Sequence, residues 1–154
     1  DGGVCATTAD LARFGMMLLD GGRAGDRQVV PEEWLREAWT PDDDIRGAFA
    51  VSTSGPVFPG GWYRNQFWFS PRPLGDVLIC LGINGQMLYV NPGTRTVAAK
   101  TSTWPVAQDA VMLLDTLVAF DAVAAALTGK EAIPPLQPGP PGVAAGVSRR
   151  RATA

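Results

Sequence analysis

Few side chains in this sequence can do covalent chemistry, and their spacing says more than their number. The chain has no histidine, so a nucleophile–imidazole–carboxylate unit cannot be assembled from these residues. Its serines are Ser52, Ser54, Ser70, Ser102 and Ser148. None is followed three residues later by lysine, the spacing that sets an amine one helical turn from a hydroxyl and lets it take the proton. None lies in a Gly-x-Ser-x-Gly elbow. Tyr63-Arg64-Asn65 and Lys100-Thr101-Ser102 have suggestive compositions. The first falls in an aromatic, strand-like stretch. The second lacks the glycine that would let a ligand approach the backbone. Tyr63 is therefore expected to be a sheet residue and Lys100 a structural or surface lysine. Cys5 and Cys80 make no CxxC pair, and without histidine they complete no zinc site. Two buried thiols are expected, and nothing in their spacing supports a disulfide. Asp42-Asp43-Asp44 lacks the alternating ligands and glycine of a calcium loop, so a solvated turn is expected there. No metal and no cofactor are expected.

One polar stretch resists explanation as core. Val77 to Leu81 is a continuous apolar run, the pattern of a strand covered on both faces. It ends in Gly82-Ile83-Asn84-Gly85-Gln86, after which Met87 to Val90 resumes the sheet. On the residues alone, Asn84-Gly85 is a tight-turn dipeptide. Asn91-Pro92-Gly93-Thr94 predicts a second turn, with proline fixing φ and Gly93 taking positive φ. Val97 to Ala99 is a further strand, and Trp104-Pro105 is expected to open a helix running to Leu127.

The other elements flank this unit. Thr7 or Thr8 can cap a helix in which Leu11, Phe14 and Leu18 share one face, and Gly21-Gly22 stops it. Gly25-Asp26-Arg27 reads as a turn. Pro31 to Trp39 predicts a short helix with acids in its first turn. Residues 40–60 read as a long loop, and Trp62 to Phe69 as one aromatic strand. The helix to Leu127 is so apolar that it must be covered over most of its girth. A chain of this length that leaves it partly bare should expose a large apolar surface and could self-associate.

The length, 154 residues, suits one domain. A net charge of −2 points away from nucleic acid and anionic membranes, and no apolar run is expected to span a bilayer. The sequence starts at Asp1 without a signal-peptide pattern, and a piece of a longer protein is expected. The boundaries read as 1–132 for the folded unit and 133–154 for a Pro-, Gly- and Ala-rich disordered tail, in which Arg149-Arg150-Arg151 is a solvated run.

Three stretches occur in the order and spacing of a known superfamily. Residues 2–15, GGVCATTADLARFG, resemble the segment after the catalytic tyrosine loop of the serine β-lactamase-like hydrolases. Residues 61–68, GWYRNQFW, resemble their aromatic sheet strand. Gly82-Ile83-Asn84-Gly85-Gln86, with the Tyr89-Val90-Asn91-Pro92 turn and Lys100-Thr101-Ser102-Thr103-Trp104-Pro105, resembles their C-terminal part, closest to the 6-aminohexanoate-dimer hydrolase and esterase branch. The resemblance implies an α+β fold: an antiparallel sheet over residues 61–103, a long C-terminal helix on one face and short flanking helices, a partial β-lactamase/transpeptidase-like architecture. It also implies that loops within residues 40–60 border the substrate cleft.

The family uses a Ser-x-x-Lys nucleophile and base, a tyrosine, and a Lys-Thr-Gly-like strand that supplies one oxyanion donor. The counterpart of that strand is Leu81-Gly82-Ile83. The resemblance thus assigns the backbone N–H of Ile83 to the oxyanion hole and Gly82, Asn84 and Gln86 to substrate binding. The family often carries histidine where this chain has Asn84, which can hydrogen-bond but cannot titrate near neutral pH. Nucleophile and general base would lie outside this sequence. The implied partner is a small amide or ester substrate of the complete protein. A non-catalytic binding relative, a decayed remnant and an unrelated α+β interaction domain are the alternatives.

Overall fold

The structure is a computed structural model and describes residues 4–129. Gly2, Gly3, the expected tail at 133–154 and the arginine run fall outside the described residues. The core is a five-stranded antiparallel meander in the order β3 (Trp62–Arg64), β4 (Phe67–Ser70), β5 (Val77–Leu81), β6 (Met87–Asn91) and β7 (Thr96–Lys100). A two-stranded hairpin, β1 (Arg23–Ala24) and β2 (Arg27–Gln28), turns at Gly25-Asp26.

Because β side chains alternate between faces, β5 feeds both sides of the sheet. Leu78 and Cys80 face helices α1 (Thr8–Leu19) and α2 (Glu32–Trp39), packing with Leu18, Leu35, Ala38, Trp62 and Phe69. Val77 and Ile79 face the other layer, with Phe49, Phe58, Met87, Tyr89 and Leu117. That layer is built from α3 (Asp43–Ala50), the loop after it, and α4 (Ala110–Thr128). Helix α1 begins as its cap predicts, the Thr7 hydroxyl accepting the Asp10 N–H at 3.1 Å. Its Gly15 lets the helix lie close on β7, since a β-carbon there would stand 2.6 Å from Val97 Cγ1.

Several expectations are corrected. The 40–60 segment is not one loop: Asp42 accepts the Ile45 N–H and caps α3, so the acidic run is a cap and first turn. Residues 62–70 form a hairpin instead of one strand, with Asn65 and Gln66 both at positive φ, 52° and 67°. In the β6–β7 turn Arg95, not Gly93, takes positive φ; glycine is needed at 93 because a β-carbon would meet Leu74 O at 2.4 Å. Helix α4 starts at Ala110, capped by Asp109, not at Pro105.

Helix α4 is also apolar and long enough to compare with a membrane span, its mean hydropathy reaching 2.0, contrary to the expectation that no run has that length. Here it packs on the sheet through a buried polar anchor. Asp121, fully buried, accepts from Arg72 Nε at 2.8 Å, from Arg72 Nη2 and from Tyr89 Oη at 2.9 Å. Asn91 Nδ2 completes the group by donating to Tyr89 Oη at 3.0 Å. Burial raises the pKa of the Tyr89 hydroxyl and keeps it a donor. Helix α4 also carries exposed Val111, Leu114, Val118, Val123 and Leu127, an apolar surface of the kind the composition implies.

The cysteines are free, and Cys5 is exposed rather than buried. It precedes α1, where no neighbouring element covers it. Burial pushes the Cys80 thiol up to about 11, which leaves about one part in a thousand as thiolate at pH 8. Iodoacetamide at pH 8 should therefore add once, at Cys5, by intact mass and peptide mapping. Alkylation of both thiols at equal rates would contradict the burial of Cys80.

Candidate functional site

The turn between β5 and β6 is built by bonds that converge from the segment after β7. Gly82 is extended, at φ −116° and ψ 166°, and its N–H donates to Gln86 O at 2.9 Å. Successive amides of an extended strand face opposite edges, so the Ile83 N–H faces away from β6, past the end of β4. Among the described residues no turn or loop bond takes it up. Residues 83–85 make one 3₁₀ turn, with Asn84 at φ 56° and Gly85 at φ 83°. A β-carbon on Gly85 would stand 2.3 Å from the Trp104 indole, so glycine is required there by both backbone and packing.

Asn84 N–H donates to Ala107 O at 2.9 Å, Asn84 O accepts the Trp104 N–H at 3.1 Å, and Asn84 Nδ2 donates to Trp104 O at 2.9 Å. The Gln86 amide pairs with the Ser102 backbone in both directions, at 2.6 and 3.2 Å.

A cleft of about 550 Å³ opens beside this turn. Leu81, Gly82, Ile83, Gly85 and Gln86 form one wall, Trp104 and residues 107–110 with Leu113 a second, and Thr53, Ser54, Val57 and Phe58 a third, over Trp68. The site residues read from the sequence thus divide. Gly82, Ile83 and Gln86 reach the cleft. Asn84 does not line it, and its amide is turned to Trp104. Thr53, Ser54, Val57 and Phe58, from the segment the resemblance sets beside the substrate, line this cleft. Asp109 is the charged side chain among the lining residues, and its carboxylate also caps α4 through the Met112 N–H at 2.9 Å.

The candidate nucleophiles are placed without a base. Ser52 Oγ donates to Phe49 O, and Ser54 lines the cleft with no lysine beside it among the described residues. Tyr63 is a sheet residue on β3, its hydroxyl donating to Gln66 Oε1 at 2.9 Å. Lys100 and Ser102 do meet, Nζ to Oγ at 2.9 Å. Neither lines the cleft, and the Ser102 hydroxyl is spent on Asn84 O. The sequence singles out Lys100-Thr101-Ser102 and reads Lys100 as a structural or surface lysine; the contact between the two side chains is what the structure adds. No metal-holding group of three or more acidic or cysteine side chains occurs among the described residues.

No family model matches the chain. A 6-aminohexanoate-dimer hydrolase of Paenarthrobacter ureafaciens is 38% identical over 105 residues, 68% of this chain and 26% of the relative. The solved structure of a candidate 6-aminohexanoate-dimer hydrolase from Bacillus anthracis superposes with a TM-score of 0.65 at 26% identity, over 81% of this chain and 30% of that one. The chain is a distant homologue of this β-lactamase-fold family. It spans between a quarter and a third of these relatives' lengths. The structural match covers most of the described residues, so the five-stranded meander and its helical layers are the part of the fold this chain shares with the family.

Proposed function

We propose that the chain forms the sheet-side wall of a serine hydrolase site that cleaves a small amide or ester through an acyl-enzyme. The observation that supports this reading is the cleft lined by Gly82, Ile83 and Gln86, beside a turn whose loop bonds leave the Ile83 N–H out. A preorganised N–H aimed where negative charge develops is what acyl transfer requires of an oxyanion donor. In this reading Gly82 admits the substrate to the backbone, Gln86 lines its path while bracing the turn, and Asn84 shapes the turn. The nucleophile, its lysine and the tyrosine come from residues outside this sequence.

The second reading is a binding protein without turnover, favoured by a non-titrating Asn84 and by a largely apolar cleft with one carboxylate.

Two measurements separate them. A fluorophosphonate probe should leave the 154-residue chain unmodified by intact mass, since among the described residues no serine lining the cleft has a lysine beside it and Ser102, which does, lies outside the cleft with its hydrogen given to Asn84 O; a stoichiometric adduct at one serine would place the nucleophile inside the chain and overturn the wall reading. A chimera in which residues 4–129 replace the matching part of the Paenarthrobacter enzyme should turn over the 6-aminohexanoate dimer of that relative's name. A chimera that folds and binds the dimer without turnover would favour the binding protein.

A further inference from the structure

We infer that Lys100 and Ser102, at the end of β7, are positioning residues that clasp the Gly82–Gln86 turn and thereby set the aim of the Ile83 N–H. The catalytic meaning of this inference rests on the hydrolase reading; its geometry does not.

The turn needs a clasp. Asn84 and Gly85 take positive φ in succession, a conformation these two residue types accept but that bonds from the surroundings must hold. Their carbonyl groups leave the sheet toward the segment after β7 and find partners there. Lys100 Nζ donates to Gly85 O at 3.1 Å and to Ser102 Oγ at 2.9 Å. An ammonium only donates, so the Ser102 oxygen accepts from it and gives its own hydrogen to Asn84 O, 2.9 Å away. The Ser102 backbone meanwhile holds the Gln86 amide at both ends. Two residues thus grip the turn at positions 84, 85 and 86.

Lys100 is placed for this task. It stands opposite Met87, which stands opposite Leu81, so its side chain shares a face with the strand that leads into the turn. Its ammonium lies 4.5 Å over the Trp104 ring and forms no ion pair among the described residues. Desolvation lowers its pKa. A lysine kept for solubility would extend into water; this one bonds a carbonyl of the turn, Gly85 O, and the Ser102 hydroxyl that holds the same turn. The clasp takes up the carbonyls at 84 and 85 and leaves the Ile83 N–H out of its bonds, so its loss would let the 82–83 peptide rotate without removing any group from the cleft wall.

The test uses Lys100→Met, Ser102→Ala and the conservative Ser102→Thr. In ¹H–¹⁵N spectra of the full chain, the first two should move the Ile83 and Asn84 resonances and speed exchange of the Asn84 N–H by about tenfold or more. The Tyr89 amide in the centre of the sheet should keep its protection, and Ser102→Thr should restore the native positions. Unmoved turn resonances, or Tyr89 exchange rising in step with Asn84, would overturn the clasp.

In the Paenarthrobacter chimera, Lys100→Met should lower kcat by roughly ten- to a hundredfold at unchanged KM, the effect of a misaimed group. A chimera that turns over with native Lys100 and keeps full kcat with Lys100→Met would overturn the positioning role and leave the hydrolase reading standing. A chimera inactive with native Lys100 would count against the hydrolase reading, and the spectra would then decide the clasp by themselves.

Discussion

Ile83→Pro in the active chimera should lower kcat by about 10²–10³-fold with little change in KM or stability, the loss expected when one oxyanion donor is removed. Proline deletes the N–H and little else at this position. Gly82 before it is already extended, the conformation a residue preceding proline prefers. Ile83 opens the 3₁₀ turn, and the first position of a helical turn has no internal use for its N–H. The Ile83 carbonyl, which accepts the Gln86 N–H, is retained. The side chain is 65% exposed, so its replacement gives up little buried area. Ile83→Ala keeps the N–H and should stay close to native kcat. The comparison isolates the backbone donor from the side chain. Steady-state kinetics of both variants, with circular dichroism as the folding control, decide the matter. A proline variant retaining kcat within about threefold of native would remove Ile83 from the site.

The largest stability effect is expected at Asp121. Asp121→Ala should cost about 3–5 kcal/mol, because it strands the Arg72 guanidinium, whose side chain is 16% exposed, and leaves the Tyr89 hydroxyl without its acceptor. The group ties the 71–76 link, β6 and α4 together, so the loss should fall on the docking of α4. Replacing the pair together, with Arg72→Met and Asp121→Leu, removes both charges and should recover most of the stability. Urea unfolding of native, single and double variants supplies the comparison. A cost below about 1 kcal/mol for Asp121→Ala would mean that the pair is no anchor. Tyr89→Phe should cost less, about 1 kcal/mol, since Asp121 keeps Arg72.

The parts of this fold legible in the sequence were those specified locally. The Thr7 cap, the Gly21-Gly22 stop and the apolar spacing between them fixed α1. The run from Val77 to Leu81 announced a strand buried on both faces. Helix α3 was hidden because its cap is an aspartate in an acidic run and its interior holds Gly47, both of which read as loop. The β3–β4 hairpin was hidden because Gln66 occupies a positive-φ position usually given to glycine or asparagine.

The start of α4 was misplaced for a tertiary reason. Residues 104–107 are held in place by the β5–β6 turn, through the bonds of Trp104 and Ala107 to Asn84, and that use outweighs the helix-opening habit of Pro105. The candidate site divided in the same way. Gly82 and Ile83 stood out only through the family resemblance; on the residues alone the stretch reads as a turn. The Lys100–Ser102 clasp was not visible, because its partners lie on another strand and are backbone oxygens, which sequence spacing does not display.

The meander also governs how the sheet forms. Each strand pairs with its neighbour in sequence, across the short links 65–66, 71–76, 82–86 and 92–95. Closing links of this size costs little chain entropy, and sheets of local pairings gain order early on the folding path. The contacts that span long sequence distances are those of the helices with the sheet: α1 on β6 and β7, α2 on β3 and β4, and α4 through Leu117 and the Arg72–Asp121 pair. Hairpin closure should therefore precede helix docking. The sheet register is chosen inside residues 62–100, and the 82–86 turn takes its final form only when the segment from Ser102 to Ala107 closes on it.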